Sequence, residues 1–284
     1  MNIDEFLKIY SLKGKTAIVT GGGAGIGKGI VLEMAKAGAD IVIADINDKY
    51  ADSTLNEVKA MGNKVEVFIG DVQKSEMVDK LIEFSFKEMG DIDILINNVG
   101  GLPGIKDSVP IWEMSEEMWD TILKLNTKPL FLCTKAFSSK MIRLKKSGSI
   151  INISSLVGLV PPSSLCIAYG LAKAGIINFT TTAAVDLAKY SIRVNCIAPG
   201  RVETPMTAGL RLRYPGVRAA QINLIPLGRL GKPEDIGKVA VFLASEVSAY
   251  MTGITISVSG GLTHLYTPSI EMAQAMAEMQ NREK

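Results

Sequence analysis

Tyr169 and Lys173, in the stretch YGLAK, stand four residues apart. On a helix such residues share a face. An ammonium beside a phenol favours the phenolate and lowers a pKa ordinarily about 10. A phenol tuned in this way can take and return a proton near neutral pH. The spacing also suits an ordinary helix face, so the pair alone decides nothing. A second candidate is the glycine-rich TGGGAGIGKG, Thr20 to Gly29. Glycines let a backbone turn tightly and approach a phosphate closely, and a following helix N-terminus attracts its charge.

Two nucleotide-binding patterns compete for that turn. A phosphate loop needs G-x-x-x-x-G-K followed by Ser or Thr. Gly22, Gly27 and Lys28 fit, but Gly29 stands where the magnesium-binding hydroxyl belongs. The common dinucleotide fingerprint G-x-G-x-x-G has no match. What is present is T-G-x-x-x-G-x-G, formed by Thr20, Gly21, Gly25 and Gly27. Asp45 lies 18 positions after Gly27. An acidic side chain there can accept hydrogen bonds from a ribose diol and would repel a 2′-phosphate. By itself Asp45 could equally cap the turn into the next helix.

These residues need elements to place them. Short Ile/Val-rich runs read as strands at 16–20, 40–45, 64–70, 93–97, 149–154, 192–198 and 254–259. Amphipathic stretches between them read as helices, among them 25–38, 74–89, 115–144, 167–190 and 233–245. Strands that are apolar almost throughout are covered on both faces. Their alternation with helices predicts βαβ units and a doubly wound parallel sheet, with ligands at the carboxyl ends of the strands. No repeat, low-complexity tract or linker divides the chain.

The 284 residues are 47% hydrophobic with a net charge of +2. That composition supports a large core and gives no nucleic-acid footprint. No apolar run reaches membrane-spanning length, and MNIDEFLKIYSLKGK does not resemble a signal peptide. Cys133, Cys166 and Cys196 are odd in number and widely spaced, which fits reduced thiols of a cytoplasmic protein. With a single histidine, His264, and no Cys pair at ligand spacing, no metal site is expected.

Taken in order, the motifs resemble the short-chain dehydrogenase/reductase family from about Leu12 to Gly261. TGGGAGIG matches its cofactor loop. Asp71-Val72 follows the third strand, NNVG (Asn97 to Gly100) resembles its NNAG, and Asn126 falls in LKLN. INISS ends at Ser155, YGLAK follows, and PGRVET, Pro199 to Thr204, matches its P-G-x-V-x-T. The resemblance implies a single Rossmann-like domain over 1–261 with a substrate-covering segment at about 201–230; the tail at 262–284 reads as helical from the spacing of its methionines. The resemblance also implies catalysis by Asn126, Ser155, Tyr169 and Lys173. Tyr169 would be the acid/base, Lys173 its tuner and a ribose ligand, and Ser155 the donor to the substrate oxygen. Asn126 would interrupt regular helix bonding and hold a water leading to solvent. NAD would be held by Gly21, Gly25, Ile26, Gly27, Asp45, Ile46, Asp71, Val72, Asn98 and Gly100. Tyr169, Lys173, Pro199, Gly200, Val202 and Thr204 would complete that site. A small-molecule substrate and a homotetramer built through long helices and the last strand are implied as well.

Two departures stand out. Ser155 lies 14 residues before Tyr169 rather than the family's 13, which leaves Ser154 as a competing assignment. VSGG at 258–261 replaces the commoner VDGG, and Ser259 has no functional reading from the sequence. The expected activity is NAD-dependent hydride transfer at a secondary alcohol or ketone. The alternatives are a 3-oxoacyl carrier-protein reductase and, in another class, a silent dinucleotide-binding regulator. A serine hydrolase lacks its histidine base. Trp112 and Trp119 flank a helix start at Ser115 and read as core or interface packing. Methionines in 271–280 read as packing of a terminal helix. Arg201, Arg211, Arg213 and Arg218, among apolar residues, suit an anionic substrate such as a sugar acid or hydroxysteroid, with Arg211 and Arg213 the expected contacts, or else a solvated helix face.

Overall fold

The structure is a computed structural model describing residues 3–102, 109–160, 167–208 and 215–262. Seven parallel strands form one sheet: β1 (Thr16–Thr20), β2 (Asp40–Asp45), β3 (Val65–Ile69), β4 (Ile94–Asn97), β5 (Gly148–Ile153), β6 (Ile192–Pro199) and β7 (Thr255–Val258). Their order across the sheet is β3-β2-β1-β4-β5-β6-β7. Beside them lie α1 (Ile3–Tyr10), α2 (Gly25–Lys36), α3 (Asp48–Ala60), α4 (Ser75–Met89), α5 (Glu116–Leu144), α6 (Ile167–Ala188), α7 (Pro215–Asn223) and α8 (Pro233–Ala244). Chain order reverses between β1 and β4, so this doubly wound, Rossmann-like sheet has its switch point there.

The strands carry apolar residues at nearly every position because successive side chains enter opposite layers. Ala17 and Val19 of β1 pack in the layer of Ile30 and Met34 of α2 and Leu243 of α8. Ile18 between them joins Leu81 of α4 and Phe137 of α5 on the other face. The same division separates Ile41 and Ile43 from Val42 in β2.

Two glycines set the spacing of α2. A Cβ on Gly29 would stand 2.4 Å from the Pro233 side chain, and one on Gly237 would stand 2.5 Å from the Gly29 carbonyl. Gly29, which removes the phosphate-loop reading, is therefore where α2 and α8 touch.

Most element boundaries agree with the sequence reading to within two residues, but α1, α3 and α7 were not among the named stretches. Ser115 caps α5 by accepting the Met118 N–H at 3.2 Å. Trp112 is 81% exposed, which leaves no core role for it. Cys166, His264, Arg211, Arg213 and the 271–280 methionines lie outside the described residues.

Candidate active site

The turn after β1 is shaped for a phosphate. Gly21 and Gly25 have φ of 65° and 55°, in the left-handed region that favours glycine. A Cβ on Gly27 would come within 1.9 Å of the Gly21 carbonyl. Ala24, the N-cap of α2, offers no side-chain acceptor, and the first turn carries no acid. Backbone N–H groups at that helix end are therefore available to an anion. Asn98 fastens the turn to β4 by donating from Nδ2 to the carbonyls of Thr20 and Gly21, each at 3.1 Å.

Asp45, at the end of β2, is fixed by backbone donors. Its carboxylate accepts from Gly23 N–H at 2.8 Å and Asn47 N–H at 2.9 Å. Ile46 beside it is 70% exposed. Asp71 accepts from Gln73 N–H at 3.0 Å, and Val72 is buried.

Tyr169 and Lys173 come from the first turns of α6. The Lys173 ammonium lies 5.6 Å from the centroid of the Tyr169 ring and donates to the Ile153 carbonyl at 3.1 Å. Lys173 is buried, and desolvation pulls its pKa from 10.5 to about 8, partly offset by Cys196.

Asn126 is also fully buried, one layer behind the cleft. It accepts from Gly101 N–H and donates to the Gly101 carbonyl, both at 2.9 Å, and donates to Ile122 C=O at 2.8 Å. A Cβ on Gly100 would stand 2.6 Å from Asn126 Oδ1 and 3.2 Å from Lys173 Nζ, so this turn must be glycine. The helix α5 continues past Asn126, whose side chain ties the Gly101 turn to the Ile122 carbonyl one turn back in the helix. Pro129 is the residue in α5 that lacks an N–H, so Leu125 C=O loses its usual donor there.

The two serines differ in their bonding. Ser154 is buried and donates its proton to the Lys173 carbonyl at 2.7 Å. Ser155 is less buried, and its hydroxyl accepts from Val157 N–H at 3.4 Å. After β6, Gly200 N–H donates to Val258 C=O at 2.9 Å, and Val202 is buried and bridges to Gly231. Thr204 reaches the glycine turn: a Cβ on Gly25 would lie 3.5 Å from it.

A cavity of about 890 Å³ unites these groups. Its wall contains Gly21, Gly25, Ile26, Asp45, Ile46, Asp71 and Val72 on one side. Asn98, Gly100, Tyr169, Lys173, Gly200, Val202 and Thr204 complete it. Gly27, Asn126 and Pro199 stand behind the wall, and the described wall includes Ser154 but not Ser155. Met206, one of the apolar residues in the expected substrate-covering segment, also lines the cavity, as do Tyr50, Leu125 and Gln221, which no sequence motif singles out. Among the described residues no group of His, Cys, Asp and Glu is arranged to hold a metal.

Comparison with known proteins gives a consistent picture. Residues 21–263 match the family model described as enoyl-(acyl carrier protein) reductase. The 3-oxoacyl-[acyl-carrier-protein] reductase of Thermotoga maritima is 38% identical over 88% of this chain and 98% of its own. A putative 2-deoxy-D-gluconate 3-dehydrogenase from Agrobacterium tumefaciens, solved with bound NADP, is 34% identical with a TM-score of 0.81, covering 90% and 99% of the two chains. A 7α-hydroxysteroid dehydrogenase, complexed with NADH and 7-oxo glycochenodeoxycholic acid, is 31% identical with a TM-score of 0.82, covering 89% and 96%.

Proposed function

The chain belongs to the short-chain dehydrogenase/reductase family, and on that premise we propose that it is an NAD-dependent oxidoreductase acting at a secondary hydroxyl or its ketone. The observation that carries this reading is the meeting of Tyr169, buried Lys173 and the bare glycine turn in one cavity. A dinucleotide fits the residues present. Gly21 and Gly25 supply the turn, Gly27 has no room for a side chain, and the N-terminus of α2 is open to a pyrophosphate. The nicotinamide supplies the hydride acceptor for oxidation and the hydride donor for reduction.

The remaining chemistry belongs to the chain. Tyr169 takes the hydroxyl proton in oxidation and returns it in reduction. Lys173 favours the phenolate and binds the nicotinamide ribose. Ser155 donates to the substrate oxygen; Ser154 is less suited because its proton is committed to the Lys173 carbonyl. Asn126 positions the Gly100–Gly101 turn beside the lysine. In this reading residues 1–261 act as one domain with 201–230 over the substrate, in a cytoplasmic homotetramer.

The relatives divide over cofactor, since NADP is bound in the Agrobacterium neighbour and NADH in the hydroxysteroid dehydrogenase. Asp45 favours NAD here. Its carboxylate is held in place by two backbone donors, it faces the cavity, and neighbouring Ile46 brings no cation. Efficiency with NAD is expected to exceed that with NADP by about tenfold or more, equivalent to about 1.4 kcal/mol. Steady-state kcat/KM with each cofactor tests this, and equal values would remove the assignment. The similarity to the Thermotoga enzyme favours 3-oxoacyl carrier-protein reduction as a second reading. Faster reduction of acetoacetyl-CoA with NADPH than any alcohol oxidation with NAD would establish that alternative.

A further inference from the structure

Arg201 lies directly after the Gly200 that lines the cleft and itself lines the same cavity as Tyr169. It is exposed, and among the described residues its guanidinium makes no hydrogen bond or ion pair. Nearby arginines are occupied. Arg218 pairs with Glu203 at 3.5 Å, and Arg229 grips Asp235 through two contacts of 2.7 and 3.2 Å.

The surroundings of Arg201 explain its freedom. It also lines a smaller cavity, of about 190 Å³, whose wall includes Ser259 and the paired Arg229 and Asp235. Ser259 packs against Gly200, where an added Cβ would lie 2.7 Å from the Ser259 Cα. Ser259 gives Arg201 a neutral neighbour where VDGG would place a carboxylate. Asp235 is already engaged by Arg229.

Of the described residues lining the large cavity, only Lys173 and Arg201 are cationic. Lys173 is buried and bonded to the Ile153 carbonyl, so Arg201 is the one accessible positive charge on the described wall. Asp45, which ends β2, and Asp71, which follows β3, line the same wall. Val99, Leu102, Leu125 and Met206 add apolar surface. A single guanidinium matches a singly charged planar group, which it can grip through two parallel hydrogen bonds.

We propose that Arg201 anchors a carboxylate carried by the substrate, so that the alcohols this enzyme oxidises are hydroxy acids. The inference rests on the reading of the cleft as an alcohol-oxidising site. It moves the anion contact from Arg211 and Arg213, which lie outside the described residues, to a residue on the cavity wall.

The test uses the full-length protein with NAD and two probe pairs: gluconate against sorbitol, and glycochenodeoxycholate against its methyl ester. Wild type is expected to prefer the acid of at least one pair, in kcat/KM, by about tenfold or more, as for loss of a charge-assisted hydrogen bond. Arg201→Gln should bring that ratio close to one, and Arg201→Lys should retain part of it. Ser259→Asp, which places a carboxylate in the small cavity, should lower the same ratio. The acid should also raise the thermal midpoint of the NADH complex in wild type and not in Arg201→Gln. A preference that survives Arg201→Gln overturns the proposal. So does turnover of the neutral probes without preference, an outcome that leaves the alcohol-oxidising reading intact. If no probe is oxidised and no acid protects the NADH complex, the proposal fails together with that reading. If Arg201→Gln impairs 3-hydroxybutyryl-CoA as much as the acids, the site reads phosphate and the carboxylate assignment is overturned.

Discussion

Lys173 holds a proton with difficulty. Its folded pKa of about 8 lies below the 10.5 of an unhindered lysine, because burial penalises the charged form. Between those pH values Lys173 binds more protons in the unfolded chain than in the folded one, so its own contribution to stability rises with pH. The slope approaches about 1.4 kcal/mol per unit for one full proton. Urea midpoints of the cofactor-free protein, taken from pH 7.5 to 9.5, should therefore improve relative to those of Lys173→Met. Parallel curves would show that Lys173 is not held in this way. The serines permit a second test at this scale. Ser155→Ala should cost more turnover than Ser154→Ala, because the Ser154 proton already goes to the Lys173 carbonyl. The reverse order would assign the substrate contact to Ser154. Tyr169, Lys173 and Asp45 were legible from the sequence because each sits at a fixed interval from a glycine turn or another reactive group. Arg201 stood beside Arg211, Arg213 and Arg218 in the sequence with nothing to set it apart; of the two that lie in the described residues, the fold shows Arg218 paired with Glu203.

At the scale of elements, the strands were easy to read because the central strands are buried on both faces and carry runs of Ile and Val. Helix α3 was harder to see: only Ala51, Thr54 and Val58 of its 13 residues are buried, so its apolar stripe is thin. Helix α6 has the opposite character. Ala172, Ile176 and Ala184 pack inward, yet Leu171 and Val185 are exposed, as is Phe131 on α5. A helix apolar around its circumference is ordinarily buried on both sides. Those outer faces are the expected contacts of the homotetramer. Light scattering at micromolar concentration should give four times the chain mass, and Leu171→Lys with Val185→Lys should shift it to smaller species. A monomeric wild type would contradict the proposal.

The whole molecule gathers distant stretches at the carboxyl edge of one sheet. The switch point between β1 and β4 opens a crevice, and the cavity there is walled from Gly21 to Gln221. Motif order along the chain conveyed the wall proposed for the cofactor, since most of these motifs follow strand ends and strand ends converge. The substrate side was much less legible. Leu125 enters from the middle of α5, Met206 from beyond β6 and Gln221 from α7, and no local spacing relates them. The account stands on proton transfer through Tyr169 within this assembled cleft. Its most direct test is the turnover of Tyr169→Phe with NAD on the best wild-type alcohol, in protein shown by circular dichroism and NADH titration to be folded and to bind cofactor. The predicted loss is about 10²–10⁴-fold, the range for removing a positioned acid/base. Turnover within a few-fold of wild type would contradict the account.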